Sequence, residues 1–370
     1  MHKIVILCTQ LEAGGAQRAA IRLAEYLRNR GHVCENWFLY RKSETFKDVP
    51  HFRVLHDHPK PPKNLLRLIY VLRKEIILFK PNVVISFAHN ANLIGLFVAF
   101  LCGVQIRIAS HRNPKWGYMS TLHRLTDFLW AVLGIYTEIT AVSESTKASY
   151  SGYPPTIFNR IRVIQNGLAF HPSKKTRTET RNQLELPLSA FIIGNIGRLS
   201  QQKNQQLLLH TLSGLDDEIH LVIAGEGKLR ENLLEIADML KLNKRVHFIG
   251  ELSYEKIPDL LKAIDVFVLP SQFEGLSNAL LEAMNAGLPV ICSSIDAQKE
   301  VLINQDDASA GFLLPPDDPE KWSDTISKLW SDKHLYNLYS KRSQVRANAF
   351  TMKAMGNGFL ELIERNQEES

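Results

Sequence analysis

Cysteine is scarce: four residues, Cys8, Cys34, Cys102 and Cys292, stand far apart in a chain of 370. None is spaced for zinc and nothing implies a disulfide framework, so reduced thiols in a cytoplasmic protein are expected. Long apolar runs are also missing. Met1 to Leu7 is too short for a signal peptide, and the longest run, Leu93 to Val104, is about 12 residues and suits a buried helix better than a membrane span. No fixed-period repeat or low-complexity tract occurs. An Asp-x-Asp pair, the usual seat of a metal-bound diphosphate, is absent, and no metal site or cofactor is expected. No aromatic-interleaved basic motif or helix-turn-helix pattern appears, which argues against nucleic acid.

What is present is an ordinary globular composition, 45% hydrophobic, with length for two domains. The net charge of +6 hides an asymmetry. Residues 1–165 carry 22 Lys and Arg against 10 Asp and Glu, a net of +12; the remainder carries 22 against 28, a net of −6. Halves of opposite sign point to different partners. Residues 64–80 read as an amphipathic helix that, with Lys60 and Lys63, sets Arg67, Arg73 and Lys74 beside an apolar face. Such a stretch is expected to be drawn to an anionic membrane surface, the competing expectation being a solvated helix on a sheet.

The most informative stretch runs from Val266 to Cys292. Val266-Phe267-Val268-Leu269 reads as a buried strand ending at Pro270. Leu276, Leu280, Ala283 and Met284 then recur at helical spacing until Gly287-Leu288-Pro289 stops the helix. Glu274 falls in the loop and Glu282 in the helix eight residues later. A helix start offers free N–H groups and a positive dipole end for phosphate. Carboxylates at the mouth and behind it can accept hydrogen bonds from hydroxyls. An anion binder beside hydroxyl binders describes a sugar nucleotide.

Two more strand–turn–helix units carry candidates. Ile4 to Leu7 leads into Gly14-Gly15, where glycine lets a ligand approach the backbone; the Gly-x-Gly-x-x-Gly dinucleotide fingerprint is not met. Phe191 to Ile196 leads into Gly197-Arg198-Leu199 and Gln202-Lys203-Asn204, whose two cations can neutralise a diphosphate. His111 stands at the carboxyl end of the strand 105–109, where open parallel sheets bind ligands; His89 ends the strand before it.

These strings together resemble the retaining glycosyltransferases of family 4. The resemblance is strongest from 194 to 314, in Gly-Arg-Leu, Gln-Lys-Asn and the Glu-x7-Glu signature of Glu274 and Glu282 with its flanking Pro-Ser, Glu-Gly and Ala-Gly-Leu-Pro-Val. It implies the GT-B arrangement: two doubly wound Rossmann-like α/β domains facing across a cleft. The domains would be an acceptor-side domain over 1–170 and a nucleotide-sugar domain over 171–350, with 351–370 a helix returning to the first. Residues 173–178 read as a polar linker.

The resemblance further implies transfer of a sugar from a nucleotide sugar, UDP-linked, to a saccharide or polyprenyl-diphosphate-linked saccharide, with retention and without metal. His111, Arg198, Lys203 and Glu274 would act at the reacting centre, His111 as a catalytic group or as a binding contact; many members read Ser-Glu-Arg-Asn there. Gly14, Gly15, Gly197, Ile249, Gly275, Leu276, Ser277, Asn278 and Glu282 would meet the donor. Gln17, Arg112 and Asn113 would lie on the acceptor side. The setting would be cytoplasmic, peripheral on the inner face of the membrane. A nucleotide-sugar epimerase and a non-catalytic binding protein on the same fold are the alternatives.

Overall fold

The computed structural model describes residues 1–12, 14–42, 51–56, 65–168, 171–303 and 308–368. The chain divides into two compact units, residues 1–169 with 350–370, and residues 170–349. Lys60, Lys63 and Asn64 of the basic stretch lie outside the described residues.

The first unit is a seven-stranded sheet of β1 (Lys3–Leu11), β2 (Val33–Arg41), β3 (Phe52–Val54), β4 (Val83–Phe87), β5 (Ile106–His111), β6 (Glu138–Ala141) and β7 (Arg162–Val163). Their order is β3-β2-β1-β4-β5-β6-β7 and every pairing is parallel. A parallel sheet is covered on both faces, which is why the central strands are apolar on both sides. One face carries the helix Gly15–Asn29, whose Ala19, Ala20, Leu23, Ala24 and Leu27 recur every three or four residues and are buried. The other carries Leu65–Phe79, Leu96–Leu101 and Thr121–Val132. The run beginning at Leu93 enters Leu96–Leu101 through a π-helical turn, Ala91–Gly95, and leaves Phe100 and Leu101 exposed.

The chain's last helix, Met352–Glu368, belongs to the first unit. Met355, Phe359, Leu362 and Ile363 join the core beneath β1. Gly356 faces Tyr26 of the helix Gly15–Asn29 so closely that a Cβ would stand 2.2 Å from its ring. Tyr26 donates to Asn357 at 2.9 Å, and Arg365 and Asn366 both reach Glu138 Oε1, at 2.6 and 2.9 Å.

The second unit repeats the scheme with β8 (Phe191–Ile196), β9 (Ile219–Ala224), β10 (Val246–Phe248), β11 (Val266–Leu269), β12 (Val290–Ser293) and β13 (Phe312–Leu314). The order is β10-β9-β8-β11-β12-β13, again all parallel. In both sheets the order reverses beside the first strand, between β1 and β4 and between β8 and β11. Helices leave to opposite faces there and a crevice opens beyond the strand ends.

The polar stretch 173–178 is part of this second unit rather than a loose linker. Thr176 and Glu179 form a reciprocal capping box that starts the helix Arg177–Gln183. Ser173 and Lys175 both bond Asp259, at 2.6 and 2.7 Å.

Candidate active site

The reversal point of the second sheet gathers the loops after β8 and β11. Gly225, at φ +146°, lets the loop after β9 pass so close to Gly197 that a Cβ would sit 2.0 Å from its carbonyl oxygen. Gly197 gives room to the Lys203 stem, which lies 3.3 Å from where a Cβ would be. Lys203 Nζ then pairs with Glu274 Oε1, an oxygen that also accepts from Ser271 Oγ at 2.7 Å. Ser293 Oγ donates to the Ser271 carbonyl at 2.6 Å, tying this loop to β12. Gln202 anchors the other side, donating to the Phe273 carbonyl at 2.9 Å and accepting from the Gln272 amide. Glu274 is only 6% exposed, so cation and carboxylate are desolvated together. Arg198 stands exposed at the mouth of the same loop, with its carbonyl held by Gln205.

The helix Asn278–Asn285 begins beside this pair. Ser277 caps it by accepting from the Leu280 amide, and Gly275, Leu276, Ser277 and Asn278 are buried. Just over one turn on, Glu282 is 2% exposed and borders a cavity of about 330 Å³. Its other walls include His171, Lys174, Tyr254, Glu255 and Pro258. Tyr254 belongs to no motif in the sequence. Ile249 is half-buried at the end of β10, with Gly250 at φ +71° taking the Gly225 amide.

In the first unit, the loop after β1 closes on itself. Gly14 caps the helix Gly15–Asn29, and a Cβ there would meet Gln17 Oε1 at 2.4 Å. Gln17 turns back to donate to the Gln10 carbonyl at 3.0 Å, while Lys42 reaches Glu12 at 2.6 Å.

His111 ends β5 and is buried. Tyr150 Oη lies 2.9 Å from its Nδ1. Nε2 has no hydrogen-bond partner among the described residues and stands 3.8 Å from Asp127 Oδ2. Asp127, wholly buried, accepts from Tyr136 at 3.1 Å and from Tyr153. In the tautomer in which Tyr150 donates to Nδ1, the ring proton lies on Nε2 and faces the carboxylate. Burial holds the His111 pKa below the ordinary imidazole value, outweighing the pull of Asp127. His89 is pushed down to about 4, chiefly by burial and then by His111.

Asp127, Tyr150 and Tyr153 belong to no motif in the sequence. The available signal was a carboxylate set within the apolar run Phe128-Leu129-Trp130-Ala131. Arg112, expected to face an acceptor, turns inward: it is buried, bonds Ser110 and Asn166, and lies over the Phe87 ring at 4.6 Å. Burial lowers its pKa to about 9. It braces β5 against the Asn166 turn. Asn113 is half-buried just beyond it.

A family model described as glycosyl transferases group 1 matches residues 176–350, and one described as glycosyltransferase family 4 matches residues 13–169. The chain is 28% identical over 296 residues to the UDP-Gal:alpha-D-GlcNAc-diphosphoundecaprenol alpha-1,3-galactosyltransferase of Escherichia coli, covering 76% of this chain and 73% of that protein. It is 26% identical to the lipopolysaccharide core biosynthesis glycosyltransferase LpsD of Rhizobium meliloti, over 95% of each. Several other relatives are matched over 43–61% of their own length. Among solved structures, HepE of Anabaena in complex with UDP and glucose has the same fold, with a TM-score of 0.84, 19% identity, and coverage of 98% of this chain and 100% of that one.

Proposed function

We propose, for a chain that belongs to the glycosyltransferases of family 4 and has their GT-B fold, transfer of a hexose or N-acetylhexosamine from a UDP-sugar to a lipid-diphosphate-linked saccharide. The coarser reaction is that of a hexosyltransferase in polysaccharide or lipopolysaccharide assembly. The observation that carries the finer reading is the desolvated Lys203–Glu274 pair at the reversal point of the second sheet, next to the Ser277-capped helix and the cavity bordered by Glu282.

In this reading the donor diphosphate enters at the helix start and meets Arg198 and Lys203. Lys203 then exchanges part of its contact with Glu274 for phosphate oxygen, which frees Glu274 to accept from sugar hydroxyls. The nucleoside occupies the cavity, its ribose hydroxyls on Glu282 and its base toward Ile249. Cations already in place where negative charge grows on the leaving UDP lower the barrier without reorganisation. The bond from the anomeric carbon to the diphosphate breaks, a bond to the acceptor oxygen forms on the same face, and the acceptor proton passes to the departing phosphate. No protein base is assigned. His111 is taken as an acceptor-side positioning residue at the carboxyl end of β5, its buried ring held by Tyr150 and Asp127.

A membrane-anchored acceptor accords with the basic first unit, and no helix among the described residues is long and apolar enough to cross a membrane. The test is a calorimetric screen of nucleotide sugars, followed by anomeric analysis of the product formed with a short-chain lipid-diphosphate saccharide. Tightest binding of a UDP-sugar and an α-linked product from an α-linked donor are expected. Inversion at that carbon, or turnover of UDP-sugar to an epimer with no acceptor, overturns the proposal.

A further inference from the structure

The helices Leu65–Phe79, Leu96–Leu101 and Thr121–Val132 cover one face of the first sheet as a single layer, joined through Leu68, Leu72, Leu96, Val98 and Ala131. Their outward faces reverse the usual pattern. In Thr121–Val132 the only carboxylate, Asp127, is turned fully inward. Leu122, Leu125, Leu129 and Val132 stand outward, exposed by 72, 54, 41 and 51%. Steps of three, four and three residues put these four side chains in one stripe along the helix. On the neighbouring helices Leu66, Tyr70, Ile77, Leu78, Phe100 and Leu101 are also exposed. More than half of the exposed large apolar side chains among the described residues lie on this one layer or the turn that follows it. Single exposed leucines are ordinary, but their concentration on one face marks an interaction surface.

The charge around the patch is of one sign. Arg67, Arg73 and Lys74 are exposed on the first helix and Arg124 lies on the third. The one other acid on these helices, Glu75, is engaged by Arg53. We propose that this layer seats the first unit on an anionic bilayer, with the leucine stripe at the headgroup–acyl boundary and the basic side chains on lipid phosphates. Against a second copy of this chain, the same patch would set arginine opposite arginine across a twofold axis. The placement rests on the reading of a lipid-anchored acceptor and gives it a route. The stripe shares its helix with Asp127, 3.8 Å from His111, so a seated layer holds that site close to the lipid surface.

The test is co-sedimentation of the full chain with phosphatidylglycerol and phosphatidylcholine vesicles at low and high salt. It compares the native chain, the pair Leu125→Glu/Leu129→Glu, and Leu188→Glu, an exposed leucine of the second unit. Native protein and Leu188→Glu should pellet with anionic vesicles and be released by salt. The paired variant should partition about tenfold or more weakly, as burial of two leucine side chains is lost. Transfer to a water-soluble acceptor, run on the same preparations, should persist in all three and shows that each is folded. Equal pelleting of the paired variant overturns the docking surface, as does a vesicle-free dimer that this variant abolishes. If native protein ignores vesicles yet glycosylates the soluble acceptor, only the docking falls. If it binds vesicles but transfers nothing, only the function falls.

Discussion

Lys203 and Glu274 lie 71 positions apart in the chain and form a direct ion pair, shielded from solvent at the carboxyl ends of β8 and β11. Each neutralises the other, and in the proposed reading this is where a phosphate and a sugar are received. On that reading the pair is a contact that ligand must partly displace, and its two members are separable by mutation. Lys203→Met leaves a buried carboxylate with Ser271 as its remaining side-chain partner among the described residues and should cost stability. It should also weaken UDP binding by roughly 10- to 150-fold, the worth of one charged hydrogen bond of about 1.5–3 kcal/mol. Adding Glu274→Gln should restore the melting temperature but leave UDP affinity low. Calorimetry with UDP and a thermal scan on the three forms check this; a double variant that regains affinity would assign Lys203 a structural role only. Glu282→Ala should weaken UDP binding by a similar factor.

Metal removal gives a second test. If Arg198, Lys203 and the helix start at Ser277 meet the leaving diphosphate as proposed, EDTA should leave the initial rate within about twofold of the untreated rate. A complete loss, restored by added magnesium or manganese, would mean that the diphosphate is met by an ion.

Acid should loosen the first unit. His89 and His111 are held below the ordinary imidazole pKa, His89 at about 4, first of all by burial. The unfolded chain takes up their protons as pH falls below about 6.5, before the folded chain does. Their stabilisation is thus fully present above that pH and is lost as pH falls toward 4, on the order of 2 kcal/mol from His89. The groups that face them are Asp127, Lys115 and His123. His89→Gln should flatten the fall in melting temperature between pH 7 and 5. An unchanged slope would place the acid sensitivity elsewhere.

Gly356 should not tolerate a side chain. Alanine favours helix by about 1 kcal/mol, yet its Cβ would stand 2.2 Å from the Tyr26 ring. Overpacking of this kind costs about 1–3 kcal/mol, so Gly356→Ala should be a net loss in denaturant titration. Tyr26→Leu in that background should recover part of it. A neutral Gly356→Ala would show that the two helices separate easily.

Much of the second unit was legible because local signals agreed. Val266 to Leu269 is a compact apolar strand, Pro270 ends it, and Gly287-Leu288-Pro289 closes the helix that follows. Glu282 reads as buried from its neighbours alone. Other features depended on partners far along the chain. β2 was not recognised because Glu35 and Asn36 interrupt its pattern; Asn36 is buried and donates to the Ala20 carbonyl at 3.1 Å. The capping box of Thr176 and Glu179 hid within a run that composition alone makes a linker. The direction of Arg112 followed from Asn166, 54 residues later. In Thr121–Val132 apolar residues fall on every side of the helix, so periodicity does not say which side meets the sheet. The three tyrosines around Asp127 and His111 decide it.

The return of Met352–Glu368 to the first unit bears on how the protein is made. Residues 170–349 are contiguous and can fold as soon as they leave the ribosome. The first unit cannot, since Phe359, Leu362 and Ile363 fill the core against Ile4 and Ile6. The half synthesised first is therefore finished last, and until Met352–Glu368 is made the core along β1 and the helix Gly15–Asn29 lacks its cover. Synthesis thus leaves the second unit complete while the first still waits for its last helix.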